Sequence, residues 1–260
     1  MKKVVLNYLV IAALALAAAF TSCGGGSSSG SSGGKSSGKI KMTTEQGGSF
    51  SFQLAGNGVA TVDWGDGSEK VSLTLNEERG VEFTHTYPNA TIRTITINGD
   101  NITRLQCRDI TSLDVRLCSE LTILGCSGTL TSLDVSKNTM LIRLDCGYNQ
   151  LTSLDVSRNT ALTELLCNRN QLTNLDISKN TALTELYCGG NQLKILNVSK
   201  NTALTRLNCN SNQLLTGSAL NALFETLHSN TGEKIINIFD VPGANDCDRS
   251  IAERKGWTVR

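Results

Sequence analysis

The chain has 260 residues, of which 39% are hydrophobic and 18% charged, with a formal net charge of +1. Charge this sparse and balanced gives no basic field for phosphate backbones, so no nucleic-acid partner is expected. With two histidines, and no GxSxG, HExxH, phosphate-binding glycine loop or supported pair of catalytic carboxylates, the composition predicts neither an enzyme nor a cofactor.

The N-terminus opens with Lys2 and Lys3 and an apolar run from Val4 to Phe20 broken by Asn7 and Tyr8, then Thr21, Ser22 and Cys23. This pattern predicts a secretion signal over residues 1–22. Small residues before a cysteine resemble a lipobox, which implies cleavage before Cys23 and lipidation of its thiol. A simply cleaved signal and a retained helix are the alternatives, although roughly 17 residues is the lower limit for spanning a bilayer. Gly24–Gly38 are all Gly or Ser except Lys35, so residues 23–39 are expected to be a lipidated flexible tether. The expected location is the cell envelope, lipid-anchored to the outer membrane. Gly24, Gly25 and Gly26 stand where surface-sorting acids resemble a requirement, which leaves the membrane side open.

Residues 40–99 read as a small β domain. Phe50, Phe52 and Leu54 alternate, as do Val71, Leu73 and Leu75, then Val81, Phe83, His85 and Tyr87, then Ile95 and Ile97. Val62–Ser68 holds an Asp-Gly step suited to a tight turn. Asp63 and Asp66 are expected to serve that turn, with calcium binding the alternative. The phrases Trp64-Gly65-Asp66-Gly67 and His85-Thr86-Tyr87 resemble the polycystic-kidney-disease (PKD) domain, which implies an immunoglobulin-like sandwich. The segment is short for that family, and Thr91 stands near a usual glycine.

Residues 100–214 carry a repeat. Cysteine falls at 107, 126, 146, 167, 188 and 209, a spacing of 19, 20, 21, 21 and 21 residues. This fits the leucine-rich-repeat pattern with cysteine in the third apolar slot, and about six coils of 21-residue period stack into one core. In the cleanest coil Leu162, Leu165, Cys167, Asn170 and Leu172 are expected to point inward. A second phrase, such as Leu154-Asp155-Val156 with Asn159, forms the back half as a short strand or turn, and Cys118 falls in the column of Asn138, Asn159, Asn180 and Asn201. The column Asp114, Asp134, Asp155, Asp176, then Asn197 is expected to be a salt-bridged and backbone-bonded ladder, neutralised by Lys137, Arg158, Lys179 and Lys200, with calcium the alternative. A straight cysteine ladder does not converge on a tetrahedral metal, so these thiols are expected to be free, buried and inert.

The alternation of LxxLDVSxNTA with LxxLxCxxNQL over about Ile102 to Leu214 resembles the cysteine-ladder internalins and similar bacterial surface leucine-rich-repeat proteins. The resemblance implies a short leucine-rich-repeat horseshoe acting as an adhesin without catalysis. The helical N-terminal cap of that family is missing, and no C-terminal wall anchor follows.

Beyond Thr216 the period fails, and residues 215–260 are expected to form an α/β C-terminal cap. Ser218 is placed as the N-cap of a helix with Leu220, Leu223, Phe224 and Leu227 on one face. A strand at Ile235–Phe239, a Pro242-Gly243 turn, a short helix at Arg249–Arg254, and Trp257 with Val259 complete it.

The outward residues of the cysteine strands are the variable ones, and they are the expected ligand contacts: Arg143, Asp145, Tyr148, Glu164, Leu166, Arg169, Glu185, Tyr187, Arg206 and Asn208, with Asn210 beside them. Tyr and Arg are hot-spot residues. Six strands about 4.8 Å apart offer on the order of 400 Å², half of what one partner uses in a standard interface. The expected function is therefore a lipid-anchored, adhesin-like binding protein, monomeric, that contacts a small or extended protein or glycan. A structural or accessory envelope component is the alternative.

Overall fold

A computed structural model describes residues 37–260, which belong to one compact unit. The signal, Cys23 and most of the tether lie outside the described residues.

The first strands are β1 (Ser37–Thr44), β2 (Gly48–Gly56), β3 (Val59–Asp63), β4 (Val71–Thr74), β5 (Val81–Tyr87), β6 (Arg93–Asp100), β7 (Ile102–Ile110) and β8 (Ser112–Asp114). β1 takes in the last residues expected in the tether, and β3 is a strand where the turn was expected to begin. β4, β3, β6, β1 and β8 form a five-stranded antiparallel sheet in that order. Their alternation buries Ile40, Met42, Val62, Ile95 and Ile97 on one face.

β2 and β5 belong instead to a ten-stranded sheet that runs on through the repeats. β2 pairs antiparallel with β7, and β7 pairs parallel with β9 (Ile123–Gly128), so a continuous hydrogen-bonded ladder joins the β-strand segment to the first coil. β10 (Arg143–Asp145), β11 (Glu164–Leu166), β12 (Glu185–Tyr187) and β13 (Arg206–Asn208) follow, all parallel. One strand per coil in a parallel stack is a leucine-rich-repeat-type solenoid.

The inward set of each coil is buried: Leu162, Leu165, Cys167 and Leu172 have no exposure, and Asn170 has 7%. Burying each leucine contributes about 1.5–3 kcal/mol, and parallel strands of only three residues hold because that core backs them.

The back halves contain no strand after β8. They are turns, because each aspartate accepts a hydrogen bond from the backbone N–H two residues on: Asp134 from Ser136, Asp155 from Ser157, Asp176 from Ser178, and Asn197 from Ser199, all within 2.9–3.0 Å. The expected salt-bridged column is not there. Among the described residues only Asp114 of this column is ion-paired, with Arg116, and neither Lys137, Arg158, Lys179 nor Lys200 joins it.

The period breaks into α1 (Gly217–Thr226), β14 (Lys234–Asn237), one 3-10 turn (Pro242–Asn245), α2 (Ser250–Glu253) and β15 (Trp257–Val259). Thr216, not Ser218, caps α1: its hydroxyl accepts from the Ala219 N–H at 3.2 Å. Leu220, Leu223 and Phe224 are buried as the helical spacing requires. β14 and β15 extend the parallel sheet, with helices where the repeats have turns. The tail also supplies polar groups to the last coil. Thr226 accepts from Val198 N–H, while His228 and Asn230 meet the carbonyls of Leu204 and Thr202.

Candidate functional site

Registration of the parallel strands sorts the expected contact residues into two outward rows. One row is Arg143, Glu164, Glu185 and Arg206; the other is Asp145, Leu166, Tyr187 and Asn208. All flank a buried central leucine, because strand side chains alternate between faces.

Most of these residues are engaged with one another. Arg143 pairs with Glu164, and Arg206 Nε lies 3.8 Å from Glu185 Oε1. Glu185 also accepts from the Tyr187 hydroxyl at 3.0 Å. Desolvation, then this hydrogen bond to an anion, raises the Tyr187 pKa. Asp145 and Asn208 accept the N–H of Gly147 and Asn210, so they hold the turn that leaves the strand. These two have a structural duty that a ligand-contact reading alone overlooked.

Tyr148 and Arg169 stand apart. Both occupy the left-handed corner after the cysteine, at φ 57° and 53°. Gly190 and Ser211 occupy the same conformation in the next two coils, at φ 65° and 51°. The corner turns the side chains off the strand: Tyr148 is 61% exposed, and the Arg169 guanidinium lies 5.2 Å from its ring centroid. Beside them the surface is trimmed. A Cβ on Gly189 would meet Asn210 Oδ1 at 1.8 Å, so only glycine lets the next coil's asparagine lie over it.

Beneath this face the six ladder cysteines are free and at most 3% exposed. Burial pushes the Cys107 and Cys209 thiols up to about 12 and those of Cys126, Cys146, Cys167 and Cys188 well above their ordinary value, so thiolate chemistry is suppressed.

Neither histidine belongs to this face. His85 Nε2 lies 2.7 Å from Asp66 Oδ2, and its ring stacks on Trp64 at 4.9 Å between centroids. Asp66 also accepts from the Ser68 hydroxyl, and these bonds, Ser68 first and His85 next, hold its carboxyl far below the usual range. Asp63 accepts from the Gly65 N–H. Both aspartates therefore serve the turn, and the Asp66–His85 tie was not legible from spacing alone.

Sequence reasoning missed that the outward rows continue into the tail. Ile235 and Asn237 register with Arg206 and Asn208, and Asp240 repeats the left-handed corner at φ 55°. The signal was an asparagine 29 residues after Asn208, hidden because no leucine or cysteine accompanies it.

No family model matches the chain, and no curated protein matches it. Among solved structures it is similar to the functional domain of InlJ from Listeria monocytogenes, which includes a cysteine ladder, at 36% identity over 58% of this chain and 32% of that one, with a TM-score of 0.47. An internalin, InlF, from the same organism is 20% identical over 48% of this chain and 37% of its own, with a TM-score of 0.42. A leucine-rich-repeat protein of Leptospira interrogans is 17% identical over 56% of this chain and 44% of its own, with a TM-score of 0.43. The chain spans between 32% and 44% of the length of these three.

Proposed function

We propose that this is a non-enzymatic binding protein of the bacterial cell envelope, adhesin-like, that engages a protein or glycan through the outward face of the cysteine strands. The observation that carries this reading is the Tyr148–Arg169 pair. It is an exposed aromatic with an adjoining guanidinium on a rigid corner, while Arg143 with Glu164 and Glu185 with Arg206 are paired on the same face. A face of about 400 Å² suits a small or extended ligand, or weak binding multiplied over many anchored copies.

Within this reading Cys23 carries the lipid, residues 23–39 supply the tether, residues 40–99 act as a PKD-like, immunoglobulin-like spacer, and residues 215–260 close the solenoid. The protein acts as a monomer attached to the outer membrane. Cys23→Ala should move it from the membrane fraction to the soluble one, and continued membrane partitioning would refute the anchor.

The binding test is a peptide and glycan array probed with the wild type and with Tyr148→Ala/Arg169→Ala. The double change should abolish the wild-type signals while leaving the thermal midpoint within a few degrees. Signals that survive it, but vanish on Asp155→Ser/Arg158→Ser, would place contact on the back turns instead.

A further inference from the structure

The outward face does not end with the cysteine strands. Gln106 on β7 registers with Gln53 on β2, and Gln53 with Glu82 on β5, so the row that holds Asp145 and Tyr187 continues unbroken into the β-strand segment. The register shifts at Ala55–Gly56 and Cys107–Ile110 fall outside these pairs. Phe52, Leu54, Phe83, Leu105 and Cys107 are buried on the inner side, and alternation therefore turns Ser51, Gln53, Thr84 and Gln106 outward. Where segment and coils meet, Gln106 lies over Gly125, its Cγ 3.4 Å from where a Cβ would stand, as Asn210 lies over Gly189. The border is fixed as well. The Gln53 amide donates to the Arg79 carbonyl at 3.3 Å and the Thr103 hydroxyl to the Glu77 carboxylate at 2.8 Å, which ties the turn before β5 to both β2 and β7.

This continuity changes the size of the face. β5, β2 and β7 are 7, 9 and 9 residues long, against 3 in β10 to β13. Ten strands about 4.8 Å apart, about 15 Å wide over the coils and about 25 Å wide over β7, β2 and β5, offer on the order of 800 Å². One partner in a standard protein–protein interface uses about as much.

The cations are sorted in the same sense. No lysine stands at an outward position of these ten strands, whereas Arg104, Arg143 and Arg206 share one registered row. The exposed lysines, Lys41, Lys70, Lys137, Lys179, Lys194 and Lys200, lie on β1 and on turns outside the ten strands. Protein interfaces are depleted in lysine and enriched in arginine and tyrosine, because a flexible, strongly hydrated ammonium loses most when it is covered. Along the row, acids and bases interleave, as in Arg143 with Glu164 and Glu185 with Arg206, so no field of one sign builds up.

We propose that β5, β2 and β7 form one contact face with the coils, and that the partner is a folded protein whose covered surface is polar and of mixed charge. The inference rests on the reading that the outward face of the cysteine strands binds, and it gives the β-strand segment a part in contact beyond that of a spacer.

The test is to probe arrays of folded extracellular protein domains, of glycans and of short peptides with the intact protein, and then to measure the affinity of each hit for variants. Folded domains should bind, and Thr84→Arg/Gln106→Arg should weaken them at least about tenfold, as Tyr148→Ala/Arg169→Ala does. Thr94→Arg/Asn98→Arg, which adds the same charge at exposed positions of β6 in the other sheet, should leave binding and the thermal midpoint unaltered. If only Tyr148→Ala/Arg169→Ala weakens binding, the cysteine-strand reading stands and the extension falls. If only Thr84→Arg/Gln106→Arg does, contact lies off the coils and both fall. Equal loss in the β6 variant would show that added charge rather than position acts, and hits confined to the glycan or peptide arrays would rule out the folded partner; either result overturns the proposal.

Discussion

The coils of Cys146, Cys167 and Cys188 each carry two buried asparagines, one after the strand and one in the back turn, and they do different work. In front, Asn170 donates to the Cys146 and Cys167 carbonyls at 2.9 and 3.1 Å and accepts the Leu151 N–H at 2.9 Å, so it stitches two coils with both ends of its amide. Behind, Asn159 donates to the Val135 and Asn138 carbonyls at 3.0 and 2.8 Å, but its Oδ1 has no protein partner, as holds for Asn138, Asn180 and Asn201. The front is thus a fully paired seam, and the back is a set of self-contained turns joined by one-sided bonds. That difference explains why the back column can begin with Cys118: the carbonyls of Val115 and Cys118 are served from Asn138 above, and a first coil has none below it to serve.

The largest expected effect separates these seams. Asn170→Leu strands the Leu151 N–H in a dry core, although the Cys146 and Cys167 carbonyls keep Asn149 and Asn191 as donors, whereas Asn159→Leu leaves the Val135 and Asn138 carbonyls bonded to the Asn138 and Leu141 N–H groups and removes an unpaired oxygen. At about 1–3 kcal/mol per orphaned group, the front change should cost about 1–3 kcal/mol more than the back change, read from denaturant midpoints at unchanged slope. Equal costs would remove the distinction.

Next comes the ladder itself. Cys167→Ser places a hydroxyl where the surroundings supply little hydrogen bonding, at a cost of about 1–3 kcal/mol. In the native protein Cys167 and Cys188 should react with thiol reagents only after denaturant is added, because burial both blocks access and raises their pKa. Rapid native labelling of either would show that the front seam opens.

These seams also show what the sequence could and could not reveal. Leu162, Leu165, Cys167 and Asn170 announced themselves because one coil's geometry is imposed on every other, so periodicity reports burial directly. The Asn of each back turn was visible as a column, but its half-paired state was not, since that depends on which atoms the next coil brings near. The aspartates misled for a related reason: a basic column three residues away suggested pairing, yet an Asx turn uses the carboxylate locally and leaves Lys137, Arg158 and Lys179 in solvent. The continuous sheet through β2 and β7 was illegible because two strand patterns separated in sequence carry no mark of who pairs with whom. In the contact face, outward direction followed from alternation, whereas the engagement of Arg143 with Glu164 and of Glu185 with both Tyr187 and Arg206 needed the register.

A smaller effect comes from acid. Asp134, Asp155 and Asp176 have pKa values lowered by their turn hydrogen bonds, and Asp114 is lowered to about 2, chiefly by Arg116. A carboxylate whose folded pKa lies below its unfolded value of about 3.9 stabilises the fold above that pH, and the contribution disappears as pH falls through the folded pKa. The thermal midpoint should therefore decline from about pH 4 toward pH 2. Asp114→Asn should flatten that decline, while Asn170 variants should shift the whole curve without changing its shape. A decline of the same steepness in Asp114→Asn would mean that other carboxylates carry it.

The smallest effect is expected where the front seam meets solvent. Arg206 and Glu185 are 3.8 Å apart, with side-chain exposures of 61% and 30%, and a pair this wet is worth about 0–1 kcal/mol. Glu185→Ala/Arg206→Ala should accordingly leave the denaturant midpoint nearly unmoved, even though both residues lie one position from a leucine that no solvent reaches. Alternation makes this possible: Leu186 and Leu207 carry the packing inward, and their neighbours are released to the outer row. If the double variant instead lost as much as Cys167→Ser, the outer row would be part of the stitching between coils, and its residues could not vary independently of the core. A near-zero cost, set beside a larger one at Asn170 in the preceding coil, would show that the front strands separate what must stay fixed from what is free to meet a partner.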